Sequence, residues 1–159
     1  MSLERAMEYI AKKGFSDRVA IFEVSSATVE LAAVAVGTEP ARIAKSLTFM
    51  VDDRPVMILC AGDMKIDNAK FKGYFHKKAK MLTRDEVHDL IGHDVGGVCP
   101  FGINDGVDVY LDESLKRFPF VYPACGSANS AVKLTPAELE SLSRSIAWID
   151  VCKPLEAGT

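Results

Sequence analysis

Apolar residues recur at helical spacing at the start of the chain, where Leu3, Ala6, Met7, Ile10 and Ala11 share one face and Gly14 supplies a stop. This pattern predicts an amphipathic helix over residues 3–13. An apolar, β-branched run follows at 19–24, after which Ser26 can cap a second helix through Val36, with Gly37 as its left-handed stop. Pro40 opens a short helical turn ending near Lys45. Residues 46–51 and 55–61 read as strands joined by Asp52-Asp53-Arg54, a length and composition suited to a hairpin, and they are expected at the sheet centre.

Asp67 can cap a helix reaching Phe75, residues 80–82 read as short and extended, and Thr83-Arg84-Asp85-Glu86 is a capping box that starts a helix to Ile91, ended by Gly92. Glycine and proline are too frequent between Gly96 and Gly102 for a helix or strand, so a shaped loop is expected there. Strands are predicted at 107–111, 120–124 and 131–134. Thr135-Pro136-Ala137-Glu138 then places a capping threonine, a proline at the first helical position and a reciprocal glutamate at the head of a helix to about Arg144. Residues 148–151 read as a last strand or an extended tail. The elements interleave, yet several connections are too short for a parallel crossover. The expected fold is therefore α/β, a single domain over residues 1–159 with a mixed, mainly antiparallel sheet surrounded by helices.

The length of 159 residues suits one hydrophobic core, and 48% hydrophobic with 26% charged residues is the balance of a globular chain, not a disordered one. No apolar run approaches the roughly 20 residues that span a bilayer, and the start of the chain lacks a signal-peptide core, so a cytoplasmic protein without membrane attachment is expected. Cys60, Cys99, Cys125 and Cys152 are far apart in sequence, and His76, His88 and His93 lack the spacing that sets two imidazoles on one helical face. No metal site and no cofactor is expected.

The net charge is only -3, but its distribution is uneven. Between Lys65 and Lys80 six lysines stand against the single acid Asp67. Such a stripe can hold phosphates, and Lys70, Lys72, Lys77 and Lys78 are the candidate contacts. A solvated helix face beside a lysine-protected edge strand is the plainer explanation of the same pattern.

Three places have residue types ill suited to packing alone. Lys45 sits between Ile43-Ala44 and a predicted strand, where a lysine drawn partly inside would mark a site, because a buried ammonium needs an anion or several acceptors. The loop Gly96-Gly97-Val98-Cys99-Pro100-Phe101-Gly102 can bring backbone N–H groups to an oxyanion or a ribose. In the small-residue segment Ala124-Cys125-Gly126-Ser127-Ala128-Asn129-Ser130, the residues Ser127, Asn129 and Ser130 can exchange hydrogen bonds.

The order of Ala44-Lys45-Ser46-Leu47, Ala61-Gly62-Asp63, Gly96-Gly97-Val98 with Pro100-Phe101-Gly102, Asp112 and Gly126 resembles the YbaK/prolyl-tRNA synthetase-associated domain family, from about Ala27 to Leu142. The resemblance implies a partly barrel-like mixed sheet and a metal-free deacylase that clears mischarged tRNA, tRNA-Pro foremost, acting in trans. Its partners would be the 3′ acceptor end of aminoacyl-tRNA and prolyl-tRNA synthetase. It further implies Lys45 and the loop at Gly97 and Val98 as catalytic groups. Substrate would be bound by Ser46, Gly96, Cys99, Pro100, Phe101 and Gly102, together with Gly126, Ser127 and Asn129. An acidic residue of the cysteinyl-tRNA-clearing branch falls near Ala131 here, so the amino acid removed is left open. Two rivals stand beside this reading. One is a cysteine-nucleophile hydrolase using Cys99 or Cys125. The other is a non-catalytic module that binds tRNA or a synthetase.

Overall fold

The computed structural model describes residues 2–155. Helix α1 (Ser2–Lys12) buries Ala6 and Ile10, the face that the heptad-like spacing marked. Strand β1 (Val19–Ile21) is shorter than predicted, and α2 (Val29–Val36) is capped by Thr28, whose side chain accepts from the Leu31 N–H at 3.2 Å. Gly37 ends α2 at φ 83°, as its sequence position implied. The turn after Pro40 stops at Arg42, so β2 (Ile43–Val51) already contains Lys45.

Strands β2 and β3 (Arg54–Ala61) form a hairpin in which Val51 faces Arg54 across a two-residue turn. Asp52 and Asp53 both adopt positive φ, 50° and 65°, which matches the twist of the flanking strands. After β4 (Met64–Ile66), helix α3 (Asn68–Phe75) starts at Asp67, whose carboxylate accepts from the Ala69 and Lys70 N–H groups. The capping box at Thr83 is present on both sides: Glu86 N–H donates to Thr83 Oγ1 at 3.2 Å and Thr83 N–H donates to Glu86 Oε1 at 2.8 Å. It starts the short α4 (Arg84–Glu86), which widens into a π-helical turn over Val87–Ile91.

Strand β5 (Asp108–Asp112) leads to β6 (Tyr122–Pro123) and β7 (Ser130–Val132). Helix α5 (Pro136–Ser143) carries the second capping box and is followed by β8 (Ala147–Ile149) and β9 (Cys152–Pro154). The main sheet runs β6-β2-β3-β5-β8 and curls into a half-barrel, with β1-β7 and β4-β9 as separate antiparallel ribbons. The sheet is mixed, as expected, but its parallel share is larger than the short connections suggested. Only β2-β3 is antiparallel in the main sheet, while β2-β6, β3-β5 and β5-β8 are parallel. Apart from the β2-β3 hairpin, the shortest connections, β3 to β4, β6 to β7 and β8 to β9, join strands of different sheets, and the parallel neighbours are distant in sequence.

Alternation along β2 and β3 divides the core in two. On one side Phe49, Val51, Val56, Ile58 and Cys60 pack with Phe71, and Leu47, Phe75 and Tyr110 pack against them. On the other, Ala44, Met57, Leu59 and Ala61 join Leu82, Val87 and the buried side of α1. Among the described residues no helix is long and apolar enough to cross a membrane.

Candidate functional site

The outer edge of β2 is covered in two stretches. Ile43 and Ala44 pair with Tyr122 and Pro123 of β6. Farther along, the Leu82 N–H donates to the Thr48 carbonyl at 3.1 Å and the Met50 N–H donates to the Lys80 carbonyl at 2.9 Å. Between these stretches the edge has no strand partner among the described residues, and a cavity of about 290 Å³ opens there. Ala44, Ser46 and Thr48 form its floor. The segment leading into α2, the loop at Val95–Val98, and Ala124 with Ser130 and Ala131 form its walls.

Lys45 lines this cavity, and its Nζ donates to the Met64 carbonyl. The Asp63 carboxylate stands close to that ammonium. Arg117 grips the same carboxylate with two hydrogen bonds, at 2.6 and 3.1 Å, and holds its carboxyl below the usual range, with Lys45 adding a smaller pull. Gly62 is required where it stands, because a Cβ there would lie 2.1 Å from the Pro40 carbonyl oxygen and 2.7 Å from Val29.

The glycine-proline loop is divided among three environments. Gly96, at φ 100°, and Val98 line the cavity. Gly97 packs directly on the second small-residue segment, since a Cβ on it would lie 2.5 Å from the Ser127 nitrogen. Its N–H donates to the Asp94 carbonyl at 3.0 Å. Cys99 and Phe101 are buried in the core, and Pro100 and Gly102 border a separate depression beside Tyr9 and Arg144. Gly126 and Ser127 line a shallow groove on the far side of Gly97. Asn129 is held by a donated hydrogen bond to the Phe22 carbonyl at 3.0 Å, and Ser127 Oγ bonds Asn129 Oδ1 at 2.8 Å. The first turn of α1 lies under both loops: a Cβ on Gly102 would meet the Arg5 carbonyl oxygen at 2.7 Å, and one on Gly126 the Ser2 carbonyl oxygen at 2.5 Å.

Five residues singled out in the sequence thus meet at the cavity, namely Lys45, Ser46, Gly96, Val98 and Ser130. Sequence reasoning did not assign Ser26, Thr48, Met81, Leu82 or Ala131 to it. Ser26 had the look of a helix cap, and the extended pattern at 80–82 gave no hint that it closes the rim.

The cysteine rival fares poorly on geometry. Neither Cys99 nor Cys125 lines the cavity, and burial pushes both thiols up, Cys125 to about 11, so thiolate is scarce. His93 approaches Cys99 Sγ at 3.5 Å, but its Nε2 bonds the Phe101 carbonyl at 2.7 Å and burial lowers its pKa. With Nε2 carrying the proton, it faces the thiol as a donor, not a base. Among the described residues no three His, Cys, Asp or Glu side chains come together as a metal-ligand set.

Of the lysine window, Lys70 and Lys72 lie on α3, which packs on the sheet face opposite the cavity floor, and Lys77 and Lys78 lie in the segment after it. Lys70 is occupied, donating to Asp150 at 3.0 Å and to the Cys152 carbonyl at 3.1 Å. Lys77 stands 3.4 Å from Asp52, with both side chains exposed. Lys72 and Lys78 are exposed.

These features define a small α/β half-barrel with a ligand-sized cavity at a gap in its sheet edge. The chain belongs to the aminoacyl-tRNA editing domain family, which it matches over residues 23–142. It is 51% identical to the uncharacterized protein YwhH of Bacillus subtilis over 157 residues, 98% of this chain and all of that one. It is 30% identical to the proline–tRNA ligase of Bacillus cytotoxicus over 125 residues, 78% of this chain but 20% of the ligase. A crystal structure of a candidate trans-editing enzyme for prolyl-tRNA synthetase superposes with a TM-score of 0.86 at 31% identity, covering 96% of this chain and 97% of that one.

Proposed function

We propose that this protein is a free-standing deacylase that hydrolyses the ester of mischarged aminoacyl-tRNA, tRNA-Pro foremost, in the cytoplasm and beside prolyl-tRNA synthetase. The observation that carries this reading is the meeting of Lys45, Ser46, Gly96 and Val98, distant in sequence, in one cavity of an editing-domain chain. An aminoacyl ester is already activated, so the site needs to orient a water or ribose hydroxyl and to stabilise the developing oxyanion. Water oxygen attacks the carbonyl carbon, the bond to the ribose oxygen breaks, and that oxygen takes up a proton, giving free amino acid and tRNA. Lys45 holds the charged or carbonyl end of the substrate, exchanging its bond to the Met64 carbonyl for one to the ligand. The backbone amides of the Gly96–Val98 loop, which borders the cavity, would stabilise the oxyanion.

The test is a deacylation assay with purified protein and a panel of aminoacyl-tRNAs, run with and without a strong chelator. At least one mischarged tRNA should be cleared at the same rate in both arms. Binding without turnover of any ester would move the protein to the class of non-catalytic modules, and a loss restored by added zinc would overturn the metal-free chemistry.

A further inference from the structure

Two cations act on one carboxylate where β3 turns into β4. Asp63, in that turn, accepts two hydrogen bonds from the Arg117 guanidinium, at 2.6 and 3.1 Å. Lys45 takes a different acceptor, the neutral carbonyl of Met64, one residue farther along. Arg117 is held in place from behind. Its Nε donates to the Ser114 carbonyl at 2.8 Å, and its guanidinium lies 4.8 Å from the centroid of the Phe118 ring.

The short 3₁₀ helix that carries Arg117, Glu113–Arg117, is anchored on the same turn. Its cap is Asp112, 1% exposed, whose carboxylate accepts from the Ser114 N–H and from the Val151 N–H, each at 3.0 Å. Ser114 Oγ in turn accepts from the Ala61 N–H at 3.1 Å, two residues before Asp63. The Asp63 carbonyl accepts from the Leu155 N–H at 3.0 Å. The carboxylate and the guanidinium are therefore both fixed, whereas Lys45 makes a single bond from a flexible stem.

An ammonium near an unpaired carboxylate settles on it, because a hydrogen bond between two ions outweighs one from an ion to a neutral carbonyl. A lysine held that way is lost to a substrate. The planar fork of Arg117 matches a carboxylate with two parallel bonds, and a point-charge ammonium competes poorly against it. With Asp63 satisfied, Lys45 is left on a neutral acceptor, which a substrate carbonyl can replace like for like.

We propose that Arg117 is a positioning residue for Lys45: by occupying the Asp63 carboxylate, it keeps the ammonium off that carboxylate and free to turn to the ester. The proposal rests on the reading of Lys45 as the group that holds the substrate.

The experiment compares Arg117→Ala, Asp63→Asn and the double variant in the full chain, by kcat/KM per folded molecule on seryl-, alanyl- and cysteinyl-tRNA-Pro. The side chains of Arg117 and Asp63 are 44% and 41% exposed, so the variants should fold. Arg117→Ala should lower kcat/KM about fivefold, the upper weight of a partly exposed ion pair. Adding Asp63→Asn should restore most of that loss, because the amide carries no charge to capture Lys45. A merely structural bridge predicts otherwise, with both single variants and the double variant equally impaired. That outcome, or parent-like activity of Arg117→Ala, would overturn the proposal. A crystal structure of Arg117→Ala gives a reading that needs no turnover: Lys45 Nζ should lie within about 4 Å of the Asp63 carboxylate. An ammonium still on the Met64 carbonyl would also overturn the proposal. Failure of the parent protein to clear any of the three esters would strike the deacylase reading instead, and the crystal structure would still decide between the two acceptors.

Discussion

On one face of β2, Leu47, Phe49 and Val51 pack against large rings, whereas on the other Ala44, Ser46 and Thr48 border a cavity. Phe49 and Phe71 stand with ring centroids 5.0 Å apart, and Phe71 and Phe75 at 4.6 Å. The ring face is closed by large side chains in contact, whereas Ala44, Ser46 and Thr48 are short and leave space beside them. One strand thus serves two purposes at alternate residues. Stability and substrate capture should respond separately to substitution.

The largest separation is expected at Phe71, which is fully buried on the ring face. Phe71→Ala should cost about 3–5 kcal/mol in urea unfolding, while deacylation per folded molecule stays near the parent value. Next comes Lys45→Ala, which should lower kcat/KM about a hundredfold or more, equivalent to ~2.7 kcal/mol of transition-state stabilisation, with an unfolding change below about 1 kcal/mol. A Lys45 variant as active as the parent would remove Lys45 from the proposed chemistry. The smallest effects belong to the lysines. Lys77 and Lys78 lie in sequence between α3, which packs on the ring face, and residues 80–82, which pair with the edge of β2. Replacing Lys77 or Lys78 by glutamine should raise KM for intact tRNA and flatten the salt dependence of binding by about 0.7–0.9 in log–log slope per lost contact. Hydrolysis of a minimal aminoacyl-adenosine should hardly change. Lys70→Gln should act mainly on stability, since it loses the bonds to Asp150 and the Cys152 carbonyl.

The sequence carried the local features well. Both capping boxes, the Asp67 cap and the Gly37 stop depend on chemistry within a few residues, and each appears where the pattern put it, while the turn expected at 52–54 is one residue shorter because Arg54 pairs with Val51. What escaped was long-range. The parallel pairing of β3 with β5 joins residues about fifty positions apart and has no local signature. The cavity is a gap between two partners of one strand edge, so its lining from Ser26 to Ala131 follows from topology and not from any motif. Lys45 was placed at an element boundary because Pro40 suggested a longer turn, and the strand begins two residues earlier than that lysine. Gly97 was legible as a residue of close approach, but the destination of its amide was not, because Asp94 becomes its acceptor only once the chain has turned.

The backbone contacts of Ser2 and Arg5 beneath Gly126 and Gly102 set an order of events during translation. At ~5–20 residues per second, the ribosome adds Gly126 about 6–25 s after Ser2. Throughout that interval the first helix waits without the Gly126 segment it supports, and the cavity walls lack Ser130 and Ala131. The nascent chain therefore holds an incomplete cavity until Ala131 is made, so a ribosome stalled before that residue would display a fragment that lacks part of the cavity wall.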